Sequence, residues 1–139
     1  MKKAPCFGDH GGAPAFGVTS STRHRLVAAG LRLEDTKQDT ADCPVARTLS
    51  VIGSNWTCLI LRDLLLHGER RFQDLQDSLH GIAPTTLSER LRTLEQHGVV
   101  ERRFYSMSPP RAEYVLTAKG RDLGPIVAAM RTWGRKHTR

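Results

Sequence analysis

Apolar residues recur at two different spacings along this chain, and the switch between them marks out its elements. From Cys43 onward Val45, Leu49 and Ile52 follow a helical period, so a first helix is expected to begin at Cys43-Pro44. Proline suits the first helical position because the N–H it lacks would be unpaired there anyway. Gly53 breaks the pattern, and Ser54 or Asn55 caps a second helix from Trp56 to about His67. That stretch is apolar nearly all round, from Trp56 and Cys58 through Ile60 and Leu61 to Leu66. It reads as a helix in the middle of a domain, closed by Gly68. Phe72, Leu75 and Leu79 mark a short third helix over 72–79, ended by His80-Gly81, with Ile82-Ala83 as a turn. Pro84 opens a fourth helix whose stripe is Leu87, Leu91 and Leu94 and whose end is Gly98.

The period then drops to two. Residues 99–105 read as a strand, 106–111 as a loop and 112–116 as the returning strand of a β-hairpin. Thr117 caps a last helix carrying Leu123, Ile126, Val127, Met130 and Trp133. Pro125 either kinks that helix or starts a new segment. Two short helices joined by a tight turn make a helix-turn-helix, and a hairpin directly after the second adds a wing. The expected fold is mainly α with a small β-hairpin wing (α+β): a winged helix-turn-helix over 41–139, with flanking dimerisation helices. Residues 1–40, rich in Gly, Ala, Ser, Thr and Asp, are expected to be a poorly ordered extension.

Charge bears on what the second helix of that motif does. Twenty-one Lys and Arg against 14 Asp and Glu give a net charge of +7, which favours polyanionic partners. With the three leucines inward, and about 100° per residue, Thr85, Glu89, Arg92 and Gln96 point away from the core. Thr86, Ser88, Arg90 and Thr93 lie on the flanks. The major groove admits an α-helix, and these side chains can read base edges or hold phosphates. Polar residues on an amphipathic helix usually just face water. What adds weight here is the position of the helix and the basic hairpin behind it. Arg102 and Arg103 lie on the first strand, and Arg111 leaves the Pro109-Pro110 tip, from where an arginine can enter a minor groove.

Cys43 lies at the start of the first helix, where unpaired N–H groups and the helix dipole stabilise a thiolate. An exposed thiol of that kind suits an oxidant or electrophile sensor; equally, a cysteine there can simply cap or pack. Cys58 is expected to pack, and Cys6 lies in the extension. Three cysteines make no disulfide framework for a secreted fold. No apolar run reaches the roughly 18 residues of a membrane span, and the N-terminus lacks the apolar run of a signal peptide. The expected location is therefore cytoplasmic, with no membrane partner. The six histidines form no HxxxH pair, and no phosphate loop, GxSxG or paired-carboxylate arrangement is present. Neither a metal, a cofactor nor an enzyme activity is expected. A Cys43 nucleophile would also need a histidine partner, and none is near in sequence. The competing reading is a winged-helix protein–protein module without specific DNA binding.

The runs Cys43-Pro44-Val45, Ile52-Gly53-x-x-Trp56-Thr57, Leu59-Ile60-Leu61-Arg62-Asp63-Leu64 and Arg71-Phe72-x-x-Leu75 resemble the HxlR-type transcriptional regulators. So do Gly81-Ile82-Ala83-Pro84-x-x-Leu87-Ser88-x-Arg90-Leu91-x-x-Leu94-Glu95 and Pro109-Pro110-Arg111-x-Glu113-Tyr114-x-Leu116-Thr117-x-x-Gly120-Arg121, with Trp133-Gly134 near the end. The resemblance covers about residues 43–134. It implies a homodimer of MarR-like architecture that binds a roughly palindromic operator in double-stranded DNA through two copies of the fourth helix. It implies that the first and last helices pair the subunits, which places Val45, Leu49, Ile126, Met130 and Trp133 at the interface. Some members sense small electrophiles or oxidants through a cysteine at the position of Cys43. Asn55 departs from the lysine often found before the tryptophan, so no DNA role carries over to it.

Overall fold

Leu87, Leu91 and Leu94 decide where the core sits. In a computed structural model that describes residues 42–139, they lie on helix α4 (Pro84–Gln96) and are at most 1% exposed. They meet Ile60, Leu61 and Leu64 of α2 (Asn55–His67), and Leu75 of α3 (Phe72–Ser78) with Leu79 just beyond it. Val99, Val100 and Leu116 close the cluster from the hairpin side. Burying each such leucine favours the fold by about 1.5–3 kcal/mol, so the packing of these helices is set by their leucine stripes.

The chain divides into two units, Met1–Ser50 and Val51–Arg139. In the first, the described residues hold most of helix α1 (Pro44–Ile52), whose Val45 and Leu49 are exposed. The expectation for 1–40 lies outside the described residues. The second unit holds every other element named here. Proline stands at the start of α4, as its missing N–H predicts. Gly68 and Gly98 end α2 and α4 with φ of 76° and 67°, a region only glycine enters without strain. At the second of these the Val99 N–H reaches back to the Leu94 carbonyl (2.9 Å) and turns the chain straight into a strand.

The sheet is larger than a hairpin. Its order is β1-β3-β2, all antiparallel, with β1 (Arg70–Arg71) paired to Tyr114 and Glu113 of β3 (Pro110–Leu116). β2 (Val100–Met107) pairs with β3 from Val100↔Leu116 to Phe104↔Ala112. After a bulge at Tyr105 it continues through Ser106↔Arg111 to Met107↔Pro110. The expected loop over 106–111 thus shrinks to Ser108-Pro109. Pro110 is tolerated because it is the first residue of its strand.

Thr117 does cap a helix, but only the single turn α5 (Ala118–Arg121); its hydroxyl accepts from the Gly120 N–H (3.1 Å). Pro125 then starts a separate helix, α6 (Gly124–His137), rather than kinking one long one. Helix α2 is not buried all round. Leu59 and Leu65 are half-buried, Leu66 is 63% exposed, and a groove of about 860 Å³ runs between α2 and α6. Among the described residues no single helix is long and apolar enough to cross a membrane.

Candidate nucleic-acid interface

Because the three leucines face inward, α4 turns Thr85, Ser88, Glu89, Arg92 and Gln96 to solvent, with Thr86, Arg90 and Thr93 half-buried at the edges. The first turn carries no acidic side chain and no side-chain cap, so its free N–H groups and the positive end of the dipole face outward uncompensated. The Thr93 hydroxyl donates to the Glu89 carbonyl (3.0 Å) and is thereby used within the helix. Arg90 has its Nε buried without a hydrogen-bond partner. Arg92 is exposed and makes no ion pair among the described residues.

The wing separates its arginines into two kinds. Arg102 sits 3.6 Å from Glu95 and lies over the Phe104 ring at 5.2 Å. Arg103 meets Glu69 at 3.3 Å and Glu101 at 3.6 Å. Both guanidiniums are about half exposed, but each is held by carboxylates at the root of the hairpin. Arg111, one residue beyond the tip, is exposed and has no carboxylate partner among the described residues. Arg71 lies over Tyr105 at 5.1 Å and reaches Glu113 at 3.9 Å, which ties the start of α3 to the wing.

One structural device escaped the sequence reading. The Asp63 side chain is only 4% exposed and accepts from Arg70 Nε at 3.2 Å. Arg70 also donates through Nη2 to the Asp74 carbonyl (3.3 Å), and the Asp74 carboxylate accepts the Arg71 N–H (3.0 Å). The network fixes α3 on α2 and so sets the platform from which α4 projects. Its one signal in the sequence is an aspartate inside an apolar helix.

Cys43 does precede α1, and its carbonyl accepts the first helical bond, from the Arg47 N–H at 3.0 Å. Its sulfur is not the exposed thiol that a sensor at this position was expected to show. Cys43 is 2% exposed and disulfide-bonded. Cys58 is half-buried, its Sγ donating to the Ile52 carbonyl at 3.2 Å, and burial pushes its thiol above the usual range. On α6 the apolar side chains Ile126 (40%), Met130 (51%) and Trp133 (62%) stand exposed.

Helices α2 to α4 with a hairpin behind the last of them, and a small third strand bracing it, form a winged helix-turn-helix, the fold of MarR-like transcriptional regulators. Residues 51–139 match the HxlR-like helix-turn-helix family, and the chain belongs to it. Among curated relatives, the HTH-type transcriptional regulator sll1512 of Synechocystis sp. is 42% identical over 92 residues, 66% of this chain and 67% of that one. The solved structure of the redox regulator HypR in its oxidized form is similar, at 38% identity over 70% of this chain and 99% of that one, with a TM-score of 0.64. A regulator assigned to the MarR family from Porphyromonas gingivalis W83 gives a TM-score of 0.67 at 28% identity, covering 73% and 98%. The family and its curated relatives are transcriptional regulators.

Proposed function

We propose that this chain binds double-stranded DNA in a sequence-specific way, as a homodimer on a pseudo-palindromic operator. The observation that carries the reading is the outer face of α4: hydroxyls at an uncapped helix start, then Glu89 and Arg92, with Arg111 on the hairpin that follows, neither arginine having an ion-pair partner among the described residues. In such a complex Thr85 and Thr86 hold phosphate, Ser88, Glu89 and Arg92 face base edges, half-buried Arg90 reaches the DNA only by turning its guanidinium outward, and the wing grips the flank. Arg111 is the main wing contact. Arg102 and Arg103 take part only by exchanging their carboxylate partners for phosphate. Val45 and Leu49 on α1, and Ile126, Met130 and Trp133 on α6, supply the apolar area for pairing the subunits. Two copies of α4 then enter successive major grooves about 34–36 Å apart.

Fluorescence anisotropy on DNA upstream of the chain's own gene, against scrambled DNA at several salt concentrations, tests this. Saturable dimer binding to one site, weakening steeply with salt, is the expected result. Equal, weak binding to both DNAs would leave a winged-helix protein–protein module as the better reading.

A second part of the reading concerns response to oxidants or small electrophiles through Cys43. Two observations favour it: Cys43 stands at the start of α1, and the similar protein HypR is a redox regulator. Operator affinity should differ between dithiothreitol- and diamide-treated protein and become insensitive in Cys43→Ser. Identical titrations in all four samples would remove Cys43 from the mechanism without touching the DNA reading.

A further inference from the structure

Charge and polarity are unevenly distributed along the wing. The carboxylates Glu69, Glu95, Glu101 and Glu113 all sit at its root, each beside an arginine. The outer part, residues 104–111, reads Phe-Tyr-Ser-Met-Ser-Pro-Pro-Arg and holds no acid at all. Met107, in the last strand pair before the two-residue turn, is 75% exposed, the most exposed of the large apolar side chains among the described residues. Pro109 and Pro110 beside it are exposed as well, and Arg111 follows. A flexible thioether and two rigid rings thus stand in water at the end of a hairpin, next to a cation that has no carboxylate partner among the described residues. The geometry points to a polyanionic partner with an apolar interior, and stacked DNA bases provide one.

We infer that the wing tip is a wedge. Met107 and the Pro109-Pro110 rings press into the minor groove against a base step, Arg111 holds the adjoining backbone, and the step opens so that the DNA bends. Methionine and proline are among the side chains that unstack steps in this way, and pyrimidine–purine steps yield most easily. The reach is adequate: seven residue steps from Val100 to Met107, at about 3.3 Å each, span about 23 Å, more than the roughly 17 Å of half a DNA turn. This inference rests on the proposed reading of DNA by α4.

The test uses the full chain and an operator duplex labelled at both ends for energy transfer, with 2-aminopurine placed in turn at each flanking step. Wild type should shorten the end-to-end distance and brighten 2-aminopurine at one step on each side. M107S should lose both signals while its operator affinity falls tenfold or less, and M107L should keep them. A saturable but straight wild-type complex, or an unchanged bend in M107S, overturns the wedge alone. Absence of any saturable operator complex overturns the DNA reading and the wedge together. A bend unaltered in M107S alongside loss of promoter activation would assign the tip to a protein partner instead.

Discussion

Arg70→Met is the substitution whose consequence follows most directly from the structure. Asp63 is 4% exposed in its side chain and Arg70 is 24% exposed, with 3.2 Å between Nε and Oδ2. Methionine keeps the apolar stem that lies over the domain but removes the guanidinium. The carboxylate then faces only His67, 3.8 Å away and half in water. Breaking a buried pair by deleting one partner costs about 3–5 kcal/mol, and the partial exposure of Arg70 puts this case near 3. For a domain of roughly this length each kcal/mol lowers Tm by about 4–8 °C, so a fall of about 12–24 °C is expected. Replacing both members, Asp63→Leu with Arg70→Met, removes the stranded charge and should recover most of the loss. Urea denaturation followed by the fluorescence of Trp56, which is packed against the core, measures all four corners of the cycle. A loss under about 1 kcal/mol in Arg70→Met, or a double variant less stable than either single one, would show that the pair does not hold the helices as argued.

Arg111→Ala should weaken operator binding about tenfold and lower the salt slope by about 2 per dimer, one unit for each wing, as read from anisotropy titrations. Glu95→Gln removes the carboxylate 3.6 Å from Arg102 and should tighten DNA binding a few-fold, with a steeper salt slope; unchanged binding would mean Arg102 stays off the DNA. Gly120→Ala places a methyl against the Val99 carbonyl oxygen, with Leu116 Cδ2 only 3.0 Å away, and backbone cannot yield; a loss of about 1–3 kcal/mol in urea is expected. Because burial raises the Cys58 thiol, its thiolate is scarce at neutral pH, so its alkylation, followed by peptide mass spectrometry, should be slower than that of free cysteine at pH 8. It should still be accelerating above pH 9.

The parts of this protein that could be read from its sequence are those in which one periodicity runs uninterrupted. The Leu87, Leu91 and Leu94 stripe fixes both the core side of α4 and, by subtraction, its outer face, which is why Thr85, Glu89 and Arg92 are placed by arithmetic alone. What escaped detection was decided by long-range partners. Strand β1 is two residues long, too short for any period, and exists because Tyr114 and Glu113 offer it a ladder. Pro109-Pro110 suggests a loop at the tip, although a strand can begin on proline. The motif Thr117-x-x-Gly120 was visible as a resemblance, but its reason lies elsewhere: the hydroxyl caps α5 and donates to the Gly98 carbonyl (2.6 Å), while the glycine makes room for Val99. Charges were the least legible of all. Composition counts Arg102, Arg103 and Arg111 alike, yet among the described residues three-dimensional neighbours hold the first two against glutamates and set no carboxylate against the third. A net charge of +7 therefore says that a polyanion is favoured, and the pairing pattern says which arginines can meet it without first giving up a partner.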